Sequence, residues 1–397
     1  MLEPEIVLAG AVRTPIGRFG GTLSALSAVE LGEVAARAAL ERAGLGPADA
    51  DQAIFGLARQ AGCGPNPARQ IAVRSGLPVE RPAFTINQAC LSGLQAVLAA
   101  ARAIRSEEAE VVLAGGTESM SRVPYLLDAR FGLRMGHRQL DDAMLRDGFL
   151  DPLCGLGMGQ TAENLARRYG IPREEQDAFA ARSQQRCEAA RRAGRFAEEI
   201  VPVSVPGRSG PVTVRDDEHP RDGVHAAGLA KLEPVFAAGG TVTAGNSCGV
   251  TDGAAALVVL SRSAADRLGV EPLARIVGYR VDGVEPSVMG IGPVPAVRNL
   301  LRRSGLELAA IELIELNEAF AAQVLAVDRE LGFDPERLNV NGGAIALGHP
   351  IGCSGARILV TLLHEMRRRS ARRGLATLCV SGGLGGALLV EAPARGV

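Results

Sequence analysis

Cys90, Asn317, His349 and Cys379 stand where the surrounding pattern gives each a chemical opportunity. Cys90 lies in TINQACLSGLQAV, after a strand-like stretch and just before an Ala-rich helical one. A helix start aims free N–H groups and the positive end of its dipole at the sulfur, which favours thiolate over thiol. A cysteine taken at random is more often a buried, inert thiol, but this strand-to-helix corner suits a nucleophile. His349, in NGGAIALGHPIGCSGAR, has glycines on both sides that leave its imidazole uncrowded, and Pro350 stiffens the turn. A Cys–His pair would supply the base that a thiol near its ordinary pKa of about 8.5 needs. Cys379 ends an apolar strand in LATLCVSGGLGGALLVE, where backbone N–H groups of the glycine turn can face an anion. No helix follows that turn, so neither a P-loop nor a dinucleotide fingerprint is present. Asn317, in NEAF, precedes a helical stretch and reads equally well as an N-cap.

The elements that must position these residues alternate. In the first part, strands are expected at 5–9, 53–57, 83–87 and 110–114, with helices at 28–43, 67–74 and 91–105. The last part repeats the scheme, with strands at 273–278, 311–316, 338–340 and 375–380 and helices at 294–303, 318–331 and 353–369. Echoes support a duplication: Ser92-Gly93 and Ser354-Gly355 open matching helices, and Ala114-Gly115-Gly116 and Ser381-Gly382-Gly383 follow matching strands. In the second copy a final strand, 386–391, follows at once, whereas its counterpart at 254–261 comes only after an excursion from Thr117 to Val250. That excursion, with helices at 159–168 and 173–192, reads as an inserted lid. The expected domains are 1–117 with 251–270, the insertion 118–250, and 271–397. Helical crossovers imply mainly parallel sheets with helices on both faces, and ligands at the strand ends.

Composition narrows the partners. The 397 residues are 47% hydrophobic and 22% charged, with 43 basic against 44 acidic residues. No positive surplus exists to capture nucleic acid or an anionic membrane. The apolar runs are strand-sized, far below the roughly 20 residues of a membrane span, and the acidic start MLEPEIVLAG does not read as a signal peptide. A cytoplasmic protein is expected. Seven scattered cysteines and five dispersed histidines argue for free thiols and against a structural metal. Glycine excess, 49 residues, signals tight turns and close backbone approaches.

Eight segments in order carry a resemblance to the thiolases, the acyl-CoA acetyltransferase family. They are RTPIGRFGG (13–21), NQACLSG (87–93), AGGTESMSRVPY (114–125), MGQTAENLA (158–166), GTVTAGNSCGVTDGAAA (240–256), NEAFAAQ (317–323), NVNGGAIALGHPIGCSGAR (339–357) and CVSGGLGGA (379–387). The resemblance implies an α/β fold, a duplicated αβαβα layered arrangement of two βαβαβαββ halves with an inserted loop domain. It implies that Cys90 is acylated, that His349 takes its proton, and that Cys379 exchanges the α-proton of a second acyl-CoA. One oxyanion site would use the ring N–H of His349 and a water held by Asn317. The other would use the backbone N–H groups of Cys90 and Ser381. Coenzyme A would meet Arg221, Phe236, Met158, Ala244, Cys248 and Met289. Coenzyme A and acyl-CoA enter as substrates, with no permanently bound cofactor. A homo-oligomer is implied, a tetramer foremost, with 116–144 in the tetramer contacts.

This sequence departs from the family pattern at Leu91, expected to alter the acyl side of the pocket, and at Ser381, where a glycine-suited φ would be strained. Cys248 replaces a common Ser, and Gly157 a His of short-chain biosynthetic members. Two alternatives stand beside the acyltransferase: a ketoacyl synthase, which pairs Cys with two His, and a non-catalytic acyl-CoA or lipid carrier.

Overall fold

A computed structural model describes residues 4–207 and 209–393. Residues 1–3, 208 and 394–397 of the expected domains lie outside the described residues. The first half runs β1 (Ile6–Arg13), α1 (Ala28–Arg42), β2 (Gln52–Gly56), α2 (Pro67–Arg74), β3 (Ala83–Ile86), α3 (Ser92–Arg105) and β4 (Val111–Ser119). The excursion includes a short hairpin, β5 (Leu150–Asp151) and β6 (Leu156–Gly157), then α4 (Met158–Tyr169) and α5 (Arg173–Arg192), and returns at β7 (Thr251–Ser261). The second half runs β8 (Ala274–Gly283), α6 (Pro293–Ser304), β9 (Leu313–Leu316), α7 (Ala321–Leu331), α8 (Ile351–Arg369), β10 (Arg373–Val380) and β11 (Leu384–Glu391).

Sheet order exposes the duplication. Hydrogen-bonded neighbours run β9-β10-β11-β8-β1-β7-β4-β2-β3, so β3-β2-β4-β7-β1 in one half mirrors Leu338-β9-β10-β11-β8 in the other. The expected strand at 338–340 is reduced to a single bridge between Leu338 and Ile314. The halves meet where β1 pairs with β8.

The sheet is mixed, not mainly parallel. Only β2/β3, β2/β4 and β9/β10 are parallel within it. Connection length explains this, because a tight turn at residues 381–383 forces β10 and β11 antiparallel. The equivalent pair β4/β7 keeps that register, with Ser119 opposite Asp252, although more than a hundred residues have been inserted at its tip. The double glycines are therefore not equivalent. Gly115 and Gly116 lie inside β4, while Gly382 and Gly383 form a turn.

Alternation along the strands builds five layers. Ala255, Leu257 and Val259 of β7 face a central cluster with α3 and α8, while Ala254, Ala256, Val258 and Leu260 face α1 and α2. In β11, Leu388 and Val390 face the same central layer, and Ala387 and Leu389 face α6 and α7. Every residue of α8 from Ile351 to Met366 is buried, as a helix between the two halves of the sheet must be. Close packing of α3 on α8 needs glycine, since a Cβ on Gly355 would lie 2.5 Å from the Leu94 nitrogen. This contact brings the N-termini of both helices, and the loops before them, to one place.

Candidate active site

Cys90 sits in a single 3-10 turn, Ala89–Leu91, that runs directly into α3. Local hydrogen bonds hold this corner: Ser92 Oγ accepts from the Gln88 N–H at 2.9 Å and donates to the Ala89 carbonyl at 2.6 Å. Asn87 clasps the same loop, accepting from the Ala89 N–H at 3.0 Å and donating to the Ala58 carbonyl at 3.1 Å. The result places Ala89 at φ +45°, a strained backbone immediately before the thiol.

His349 reaches Cys90 from the other half, with Nε2 3.3 Å from Sγ. Its Nδ1 lies 2.5 Å from Ser354 Oγ, and that hydroxyl donates to the Pro350 carbonyl at 2.9 Å. The hydroxyl proton being used, Ser354 accepts from Nδ1–H, which leaves the Nε2 lone pair facing the thiol. The His349 N–H is in turn held by the Gly249 carbonyl at 3.0 Å.

Two backbone donors converge on the same sulfur. Backbone N–H groups of Cys90 and Ser381 both hydrogen-bond toward Cys90 Sγ. Ser381 keeps a negative φ, and the left-handed positions are Gly382 and Gly383 at +86° and +80°, so the expected strain at Ser381 does not arise. Cys379, in β10, is 1% exposed. Asn317 follows β9 and is fully buried, yet neither of its amide atoms has a hydrogen-bond partner in the protein. It is not an N-cap, because α7 starts at Ala321 with Phe320 at its cap.

Burial sets the electrostatics against the expected thiolate. It pushes the Cys90 thiol up to about 11, outweighing Arg59 and the two N–H groups that pull it down. Burial lowers His349 to about 3, helped by the charges of Arg357 and Arg59. The resting pair is thus neutral thiol and neutral imidazole, and the helix end does not overcome desolvation. Cys379 is held well above the usual thiol range by burial, then by Cys90 and Cys248.

An apolar wall leads away from Cys379. Met158, Phe236 and Met289 share one cluster with Ala319, Phe320 and Cys379, and Phe236 meets Phe320 edge-on at 6.0 Å. Cys248 borders it, its N–H donating to the Ala319 carbonyl at 3.0 Å. Burial, then Cys90, raises the Cys248 thiol to about 12. Arg221 and Ala244 are exposed and outside that cluster. A separate cleft of about 830 Å³, lined by Arg42, His364 and Arg367, shares no residue with this site.

Two family models match nearly the whole chain: the thiolase N-terminal domain over residues 6–263 and the thiolase C-terminal domain over 270–392. The chain belongs to the thiolase family. This thiolase is 54% identical over 391 residues to an acetyl-CoA acetyltransferase of Chromobacterium violaceum, covering 98% of this chain and all of the relative. A Pseudomonas aeruginosa acetyl-CoA acetyltransferase is 54% identical over 386 residues, 97% of this chain and 98% of its own. The crystal structure of the Bacillus anthracis acetyl-CoA acetyltransferase superposes with a TM-score of 0.96 at 46% identity, covering 98% and 99% of the two chains. Human mitochondrial 3-ketoacyl-CoA thiolase in complex with CoA gives 0.95 at 45% identity, with 99% of each chain covered.

Several residues around the thiolase site were not singled out by sequence. Glu118 is buried and accepts from the N–H groups of Gly352, Arg59 and Ala58 at 2.9, 3.1 and 3.2 Å, joining the two halves behind Cys90 and His349. Arg59, 6% exposed, stacks over Phe149 at 5.7 Å and supplies the positive charge felt by Cys90. Their motifs carry no local signal of these long-range contacts. Leu91 packs in the central core, where a Cβ on Gly386 would lie 2.3 Å from Leu91 Cδ1.

Proposed function

We propose that the chain is an acyl-CoA C-acetyltransferase that works by ping-pong Claisen condensation and its reverse, coenzyme A-dependent thiolysis of a 3-ketoacyl-CoA. The observation that carries this reading is the 3.3 Å approach of His349 Nε2 to Cys90 Sγ, with two backbone N–H groups on the same sulfur and a second buried thiol beside it.

The neutral pair defines the first step. As Cys90 attacks the thioester carbonyl, its proton passes to His349 Nε2, and the new oxyanion takes the place of sulfur before the N–H groups of Cys90 and Ser381. Collapse protonates the departing coenzyme A from His349. The acyl-Cys90 that remains conserves the thioester.

Cys379 then passes its own proton to the vacated Nε2 of His349 and, as thiolate, takes the α-proton of the second acyl-CoA. Burial is the main cause that holds Cys379 protonated, and with Cys90 fixed as a thioester no negative charge at that sulfur can add to it in the second half-reaction. His349 Nε2–H and a water held by Asn317 receive the enolate oxygen. The unpartnered Asn317 amide supports that role, since a buried amide without a partner costs about 1–3 kcal/mol unless something binds it.

Met158, Ala244, Cys248 and Met289 would line the pantetheine, Phe236 would meet the adenine-ribose end, and the exposed Arg221 would meet the adenosine phosphate. We assign residues 118–250 to a lid that clasps coenzyme A, 1–117 with 251–270 and 271–397 to the duplicated halves, and the protein to a homotetramer in the cytoplasm. No helix among the described residues is long and apolar enough to cross a membrane. A ketoacyl synthase is disfavoured because Cys379 stands where that chemistry uses a second histidine.

Mass spectrometry after incubation with acetoacetyl-CoA tests the reading. An acetyl adduct on Cys90 is expected. Tight binding with no adduct and no turnover would favour the carrier.

A further inference from the structure

The turn that presents Ser381 is held from outside its own half. Gly382 donates its N–H to Asp151 Oδ2 at 2.8 Å, across 231 residues of sequence. Asp151 is 3% exposed and lies on β5 of the inserted segment. Its other oxygen accepts from Leu153 N–H at 2.9 Å, and its carbonyl accepts from Gly155 N–H at 2.8 Å, so the carboxylate is itself fixed by the β5–β6 turn. On the far side, the Gly383 carbonyl accepts from Val284 N–H at 2.6 Å. Two left-handed glycines thus sit between two anchors, one from the lid and one from the second half.

We propose that Asp151 is a positioning residue for the oxyanion donor at Ser381, coupling the lid to the acyl-transfer site. The argument rests on the reading of Ser381 given above. Holding the Gly382 N–H fixes the Ser381–Gly382 peptide plane and limits the torsions of Ser381, and so the direction of the N–H that points at Cys90 Sγ. Glycines at φ +86° and +80° have wide conformational freedom, and an unanchored turn would spread that direction over many states. The same hairpin runs through β6 straight into Met158, so the wall along the substrate and the oxyanion donor share one support. Displacement of a reacting group by about 1 Å costs on the order of 100-fold in rate.

The test compares acylation of Cys90 by acetoacetyl-CoA with its alkylation by iodoacetamide, which builds no oxyanion, in the full-length protein. Asp151→Ala is expected to slow single-turnover acylation about 10- to 100-fold and alkylation much less. Asp151→Asn, with one acceptor oxygen for two N–H donors, should fall between it and the parent protein. If Asp151→Ala does not fold, Asp151→Asn and Asp151→Ser carry the comparison. Acylation at the parent rate, or acylation and alkylation falling in the same proportion, would overturn the proposal. A parent protein that forms no acyl-Cys90 would instead overturn the functional reading.

Discussion

Ser354 fixes the tautomer of His349: its hydroxyl proton goes to the Pro350 carbonyl at 2.9 Å, so its oxygen receives Nδ1–H at 2.5 Å. The base is thereby oriented by a neutral hydroxyl, not by a carboxylate. Burial, helped by the charges of Arg357 and Arg59, keeps the imidazole uncharged with a pKa near 3, and a neutral hydroxyl adds no charge that would oppose this.

Ser354→Ala should therefore leave Cys90 in place but free the imidazole to flip or change tautomer. A lost buried hydrogen bond of about 1–3 kcal/mol corresponds to a fall in kcat/KM of roughly 5- to 150-fold. Thiolysis, followed by loss of the Mg-enolate absorbance of acetoacetyl-CoA, measures it. Unchanged kcat/KM would show that packing alone orients His349.

The pH behaviour follows from the two shifts. With Cys90 at about 11 and His349 at about 3, the free enzyme holds the neutral pair throughout pH 5–9. Thiolate grows as pH rises toward 11, so the rate of alkylation of Cys90 should climb steadily from pH 7 to 10 without a plateau near 8.5. An ionisation near pH 6.5 that disappears in His349→Asn would contradict the neutral pair.

Much of this site was legible because its chemistry is local in sequence. Cys90 at a strand-to-helix corner and His349 in a glycine-rich turn announce themselves by their immediate neighbours. Period identified α1, α2, α3 and α5 nearly to the residue. Strand direction was not legible, since it depends on whether residues 381–383 make a tight turn or lead to a crossover. Leu338 shows the same limit: its apolar neighbours look like a strand, but one bridge is all the sheet edge accepts. Asp151, Glu118 and Arg59 escaped because each acts on groups distant in sequence, and a lone carboxylate or guanidinium gives no hint of which backbone it will meet.

Cys379→Ala should separate the half-reactions. Cys90 keeps His349 and both N–H groups, so acylation by acetyl-CoA should stay within several-fold of the parent protein. Condensation should drop by about 100-fold or more, since general acid–base catalysis contributes 100- to 10,000-fold. Quenched-flow mass spectrometry of acyl-Cys90, alongside a condensation assay, reports both. A variant that condenses normally would assign the α-proton to another base.

Asn317→Ala probes an amide that costs stability and serves chemistry. With neither side-chain atom partnered within the protein, truncation removes no intramolecular side-chain hydrogen bond, and the thermal midpoint should change little. Loss of the oxyanion water should lower kcat by roughly 100- to 1000-fold. A large fall in stability with little loss of turnover would make Asn317 a structural residue.

The inserted segment is joined to β1 by a buried charge network, and its removal should be felt in stability. Arg13 donates from Nε to Glu199 at 2.6 Å and from its two terminal nitrogens to Asp217 at 2.6 and 2.9 Å. Asp217 also accepts from the Ile16 N–H at 2.9 Å. Burial opposes the charge of Arg13, but the two carboxylates prevail and raise its pKa above the ordinary value, so the guanidinium stays charged in the interior. Asp217→Ala would leave that charge half-compensated and orphan the Ile16 N–H. Breaking one side of a buried pair costs about 3–5 kcal/mol, whereas Asp217→Asn, which retains hydrogen-bond capacity, should cost less. Urea unfolding of the full chain compares them. A loss below about 1 kcal/mol in Asp217→Ala would mean that Glu199 alone suffices to hold Arg13 and that the inserted segment is anchored elsewhere.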